Sequence, residues 1–202
     1  MKKRALTEAD VRESARGGRS LEVPEGAVVT PAARDLARQL GVSLEETRAA
    51  ASARRTVALG ADHGGFPMKE QLKPLLEELG YEVMDLGTGS TAPVDYPDYA
   101  LAVARAVADG RAWRGIMVDG AGIGSAMAAN KVAGVRAALC YDLTTAANAR
   151  ENNDANVLTL GGTLIGMRLA ADIAKTFLAT QFAGGRHAPR VEKINRLDST
   201  RG

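Results

Sequence analysis

The 202-residue sequence predicts an α/β domain on a doubly wound, parallel, five-stranded sheet, preceded by a short helical extension. Three observations point there. From residue 56 onward, five short apolar runs alternate with stretches of helical period. The runs are short and mainly apolar, which suits a parallel sheet covered on both faces. The composition, 46% apolar and 25% charged, is that of a globular chain, not a disordered one.

Element by element, Thr7 with Asp10 three residues on resembles a capping box and opens a helix through about Arg16, which Gly17 and Gly18 stop. Thr30 followed by Pro31 caps a second helix. Its apolar residues Ala33, Leu36, Ala37 and Leu40 share one face, and Gly41 closes it. Ser43 with Glu46 has the spacing to open one more helical turn. So few apolar residues predict a segment without a core of its own, one that docks on something. Residues 48–55, RAAASARR, read as a linker. The strands are expected at Thr56–Gly60, Glu82–Leu86, Gly115–Val118, Val135–Cys140 and Val157–Leu160. Between and after them, helices are expected around Met68–Leu79 (kinked by Pro74), Asp98–Asp109, Ile123–Lys131, Leu143–Glu151, Gly166–Thr180 and Pro189–Leu197. Right-handed crossovers make this a Rossmann-like sandwich over residues 56–197, with 198–202 as a tail.

Several function classes are disfavoured. Twenty-six basic against 24 acidic residues leave a net charge of only +2, which argues against nucleic acid or an anionic membrane as partner. Trp113 and the few Tyr residues are too scattered for a base-stacking platform. No apolar run is long enough to span a bilayer, and residues 1–20 lack the apolar core of a secretory signal, so a cytoplasmic protein is expected. One cysteine excludes an intrachain disulfide and a cysteine-based zinc site, and with two histidines no metal or other cofactor is expected.

In such a sheet ligands bind beyond the carboxyl ends of the strands. Three segments qualify: Asp62-His63-Gly64-Gly65, Asp119-Gly120-Ala121-Gly122-Ile123-Gly124, and Asn152-Asn153-Asp154. The glycine run reads either as an anion cradle made of backbone N–H groups or as a tight turn whose small residues let helix and strand pack. His63 is either a hydrogen-bonded structural residue or a functional one beside Asp62. The Gly184–Arg190 loop, with Arg186, His187 and Arg190, is either a solvated basic turn or a phosphate clamp. Cys140 ends an apolar strand and reads as a buried, inert thiol.

The blocks GADHGGFPMKEQL, DYPDYA, GAGIGSAMAANKVAGVRAALC, ENNDANVLTLGG and FAGGRHAPRVEKI occur in order from about Thr56 to Ile194. Together they resemble the ribose-5-phosphate isomerase B family, which includes the galactose-6-phosphate isomerase subunits. The resemblance implies aldose–ketose isomerisation of a phosphorylated sugar through an enediolate, without metal. By position it implies that Asp62 and His63 contact the sugar and its phosphate, that Tyr96 and Asn153 line the substrate, and that Gly120–Gly124 (with Ala121, Gly122 and Ile123) cradle the enediolate. Arg186 and Arg190, in the loop with His187, would hold the phosphate in a neighbouring subunit's pocket, so a homodimer or homotetramer is implied.

The family's usual C-G-T-G-x-G here reads D-G-A-G-I-G, so Asp119 stands where the base is normally cysteine. Ser125 stands where another branch carries a glutamate, Asn152 where the ring-opening histidine is usual, and Thr163 where an arginine is common. An isomerase with Asp119 as base and His63 assisting is the first reading. The other is an altered family member that binds a sugar phosphate or supports a partner subunit. Residues 1–47 also resemble short modules of enzymes associated with bacterial microcompartments, and one helix of the peripheral subunit-binding domain. That second resemblance implies docking to a protein partner or shell, inside a microcompartment.

Overall fold

The computed structural model describes residues 5–17, 20–24, 28–47 and 55–200. The chain forms two compact units, one within residues 1–53 and one within 54–202. Of the expected linker, residues 48–54 lie outside the described residues.

Among its described residues the first unit contains both expected helices and, besides them, four short strands. In order they are β1 (Ala5–Leu6), α1 (Glu8–Gly17), β2 (Ser20–Pro24), β3 (Val28–Val29), α2 (Pro31–Leu40) and β4 (Ser43–Thr47). Asp10 Oδ2 accepts from both the N–H (2.7 Å) and the hydroxyl (2.9 Å) of Thr7, the reciprocal arm of a capping box. Thr30 Oγ1 accepts the Ala33 N–H at 3.3 Å. Gly41, at φ 66°, ends α2, and the Val42 N–H returns to the Ala37 carbonyl at 2.9 Å. That reversal corrects the expectation for Ser43–Glu46. Turned back by Gly41, these residues extend as β4 along β2 instead of winding another turn.

Both sheets of this unit are parallel pairs, and both join residues 23 positions apart. Ala5 faces Val28 in one, and Ser20 faces Ser43 in the other. The sequence echoes this: Thr7 and Thr30 precede the helices, and Ser20-Leu21-Glu22 matches Ser43-Leu44-Glu45. The unit is therefore two copies of one strand–helix–strand element. The segment also has a core after all, a small one of Leu6, Val11, Val23, Val29, Ala33, Ala37 and Val42. The residues that close it are short, which is why the apolar count underestimates it.

The second unit has the predicted architecture. Its elements are β5 (Thr56–Ala61), α3 (Phe66–Glu78), β6 (Glu82–Asp85), α4 (Tyr96–Ala108), β7 (Arg114–Asp119), α5 (Ile123–Ala129), β8 (Ala137–Leu139), α6 (Leu143–Asn153), β9 (Val157–Gly161), α7 (Met167–Ala179) and α8 (Ala188–Arg196). Pro74 stays inside α3, which continues to Glu78. The sheet order is β6-β5-β7-β9-β8, all parallel. β8, an edge strand, is shorter than expected because the Arg136 N–H turns to the Asn156 side chain at 2.8 Å instead of entering the ladder. Asp198, in the expected tail, is also part of the fold: its Oδ2 accepts the Gly134 N–H at 2.7 Å.

One face of the sheet packs on α3, α6 and α7, through Leu72, Leu76, Ala146, Ile173 and Phe177. The other packs on α4 through Ala100, Val103 and Ala104. The chain leaves β5 toward β6 on one side and returns to β7 on the other. The crevice beyond the carboxyl ends of β5 and β7 is thus the switch point of the sheet, where such folds bind ligands. No helix among the described residues is long and apolar enough to cross a membrane.

Val11 is the largest fully buried side chain of the first unit. Truncating it, Val11→Ala, is expected to cost that unit about 2 kcal/mol. Amide exchange should quicken within residues 5–47 and stay unchanged in β5, β7 and β9; equal acceleration in both units would show that they unfold as one.

Candidate active site

Three loops meet at the switch point, and glycine makes the meeting possible. A Cβ on Gly65 would lie 2.1 Å from the Val118 carbonyl oxygen, and one on Gly162 would lie 3.1 Å from Gly65 Cα. A Cβ on Gly161 would lie 2.9 Å from the Ala121 carbonyl oxygen. The loops after β5, β7 and β9 are therefore in direct backbone contact.

In the first loop Asp62 is buried and its Oδ1 accepts the Gly65 N–H at 2.8 Å, shaping the turn into α3. His63 is exposed, and its Nδ1 lies 3.2 Å from both the N–H and the carbonyl oxygen of Val94. In the neutral ring Nδ1 accepts from the N–H when the proton sits on Nε2, and donates to the carbonyl in the other tautomer.

In the second loop Asp119, 4% exposed, is the centre of the hydrogen bonding. Its Oδ1 accepts the N–H groups of Ala121 (2.8 Å) and Gly122, and its Oδ2 accepts the N–H (3.1 Å) and the hydroxyl of Ser125. The tight-turn reading of the glycine run matches the close packing here. Gly122, at φ 79°, has Leu139 and Leu160 where a side chain would go, and the Tyr96 ring lies against Gly124. Yet the amides also form an anion cradle, and the anion in it is the chain's own carboxylate. The N–H groups of Gly120, Ile123 and Gly124 make no hydrogen bond to a described residue.

The other predicted residues stand apart. Asn153 is the exposed last residue of α6. Arg186 and His187 lie in a 3-10 turn, Gly185–His187, with Arg190 exposed on α8. The Ala183 N–H, bonded to the Glu151 carbonyl at 3.0 Å, brings this turn beside the end of α6. Asn195, just past these residues on α8, accepts from Arg136 at 2.9 Å, at the amino end of edge strand β8. Asp62, His63 and Asp119 lie at the opposite, carboxyl end. Among the described residues no hydrogen bond or ion pair joins the two groups.

Sequence reasoning missed Tyr141, whose hydroxyl donates to the Ala121 carbonyl at 2.5 Å, and the role of Thr163, whose hydroxyl donates to the Gly120 carbonyl at 2.6 Å. Both follow strand ends, and that position was the available signal.

Cys140 is 1% exposed, and burial pushes its thiol up to about 11. The unfolded chain releases this proton near the ordinary value of 9.0, while the folded chain keeps it to about 11. Stability should therefore fall as pH rises between those values, by about 1.4 kcal/mol per unit from this group. Denaturant titrations of the wild type and Cys140→Ala should differ in that slope, and equal slopes would contradict it.

The profile of the Ribose/Galactose Isomerase family matches residues 57–194. The chain belongs to this family, and with it to the sugar-phosphate isomerases. Among its relatives, ribose-5-phosphate isomerase B of Escherichia coli is 44% identical over 147 residues, covering 73% of this chain and 99% of that protein. D-erythrulose-4-phosphate isomerase of Pectobacterium atrosepticum is 42% identical over 141 residues, covering 69% and 92%. Among solved structures, ribose-5-phosphate isomerase B of Clostridium thermocellum superposes with a TM-score of 0.72 at 46% identity, covering 73% of this chain and 99% of that one.

Proposed function

We propose that this chain interconverts the aldose and ketose forms of a phosphorylated sugar, ribose 5-phosphate or a related pentose or hexose phosphate, through an enediolate. The observation that carries the proposal is a buried carboxylate, Asp119, held in a nest of amides at the switch point of the sheet. As the ring opens, Nε2–H of His63 gives its proton to the ring oxygen, and the C1 hydroxyl proton, carried by water, replaces it as the C1 carbonyl forms. Asp119 takes the proton from C2 of the aldose, the C2 hydroxyl proton passes to the C1 oxygen through the C1–C2 enediolate, and Asp119, exchanging its proton with solvent at that stage, returns one to C1. Oδ2 is the atom for this work, because the Ser125 hydroxyl is the one donor of four that rotates away without moving backbone. The N–H groups of Gly120, Ile123 and Gly124 face the developing enediolate oxygens. No step calls on a metal or cofactor.

Asp119→Asn keeps the size of the side chain and removes the base, but its NH2 group replaces one acceptor of the nest, so the amide spectrum of residues 120–125 is compared with that of the wild type alongside the kinetics. Exchange of the C1 and C2 hydrogens of ribose 5-phosphate in D₂O, followed by NMR, should slow by about 10²–10⁴-fold. Survival within a few-fold assigns the base elsewhere. A second reading has one observation in its favour: all four lone-pair positions of Asp119 are already taken. On that reading the chain binds the sugar phosphate without turnover, and the wild type shows binding with no exchange.

We further propose that a second copy completes the site. Its support is the separation of Arg186 and Arg190 from the crevice, together with large exposed apolar side chains after β7 (Ile123, Met127), β8 (Leu143) and β9 (Leu164). These are the segments that surround the crevice mouth. Asp119→Asn and Arg190→Ala should each be impaired alone. Mixed under subunit exchange, they should regain activity, because one site of each hybrid then carries neither change. Absence of recovery in verified hybrids would show that each chain supplies its own phosphate ligands.

A further inference from the structure

The Asp119 loop is held from its outer side by two residues outside every motif. In the peptide unit joining Gly120 to Ala121, the carbonyl accepts from the Thr163 hydroxyl (2.6 Å) and N–H (3.1 Å), and the Ala121 N–H donates to Asp119 Oδ1 at 2.8 Å. In the next unit the Ala121 carbonyl accepts from the Tyr141 hydroxyl at 2.5 Å, and the Gly122 N–H donates to the same Oδ1. A trans peptide is planar, with its C=O and N–H pointing in opposite directions. Fixing each carbonyl outward therefore fixes each N–H inward.

This loop needs such a clamp. Gly120 and Gly122 flank Ala121, and glycine on either side lets a peptide plane turn over cheaply. If either unit turned, a carbonyl oxygen would face the carboxylate in place of an N–H, and Asp119 would lose its orientation. Neither Tyr141 nor Thr163 hydrogen-bonds Asp119 itself. Both side chains are partly open to solvent, so neither is fixed there by burial.

We propose that Tyr141 and Thr163 are positioning residues that set the direction of two successive amides and, through them, of the Asp119 carboxylate. The kinetic part of this proposal rests on the isomerase reading; the geometric part does not. Tyr141→Phe keeps the ring and removes only the hydroxyl, Thr163→Val removes the other hydroxyl at nearly constant shape, and Thr163→Ser restores it.

In the ligand-free full chain, Tyr141→Phe should quicken hydrogen exchange of the Gly122 N–H about tenfold, and Thr163→Val should do so for Ala121. The Ser125 N–H, on the other carboxylate oxygen, should stay within about twofold in both. With ribose 5-phosphate, kcat should fall about 10- to 100-fold with KM little changed, and Thr163→Ser should recover it. Unchanged exchange at Ala121 and Gly122, or equal acceleration at Ser125, overturns the proposal. A wild type that shows no turnover ends the isomerase reading, and the amide measurements still decide the clamp.

Discussion

The carboxylate of Asp119 fastens the end of β7 to the start of α5, and the site takes its shape from that knot. Three backbone N–H groups and a hydroxyl converge on two oxygens in a nearly dry place. Charge-assisted hydrogen bonds of this kind are worth about 1.5–3 kcal/mol each, and stripping the acceptor away would leave buried donors without partners. The arrangement has a consequence for chemistry. An amide that holds the carboxylate cannot hold a substrate oxygen at the same time, so the proposed role at the enediolate is assigned only to the amides that remain.

The knot depends in turn on how closely the loops approach. At Gly65, Gly161 and Gly162 one backbone runs where any side chain would collide with another. The residues that look permissive in the sequence are therefore the constrained ones: they let the loops after β5, β7 and β9 close into one surface. Packing of α4 on the sheet follows the same logic, since Val103 presses against Gly60 and Gly115.

The second unit was legible because its central strands β5, β7 and β9 are buried and mainly apolar, and most of its helices keep a clear period. The strands of the first unit were not. β2 and β4 carry only two and one apolar side chains respectively among charged neighbours, and Ser43 with Glu46 imitates a helix start. What overrides that local signal is Gly41, whose left-handed turn sends the chain back along β2. Asp62, His63 and Asp119 could be placed at the crevice from their position at strand ends. The partners of Asp119 could not, because they depend on the path of the loop. Nor could the sequence say that α8 runs beside the amino end of β8, which carries Arg186 and Arg190 away from the crevice of their own chain.

The twofold internal likeness of residues 5–47 sets a rule of matched lengths. α1 and α2 each span 10 residues and bridge the same two ribbons, as equal struts hold the sides of a parallelogram. Lengthening one strut alone would skew the frame, pulling either Ala5 from Val28 or Ser20 from Ser43. Insertions and deletions there should be tolerated only in compensating pairs, so this small unit, for all its short strands, is held to a fixed size.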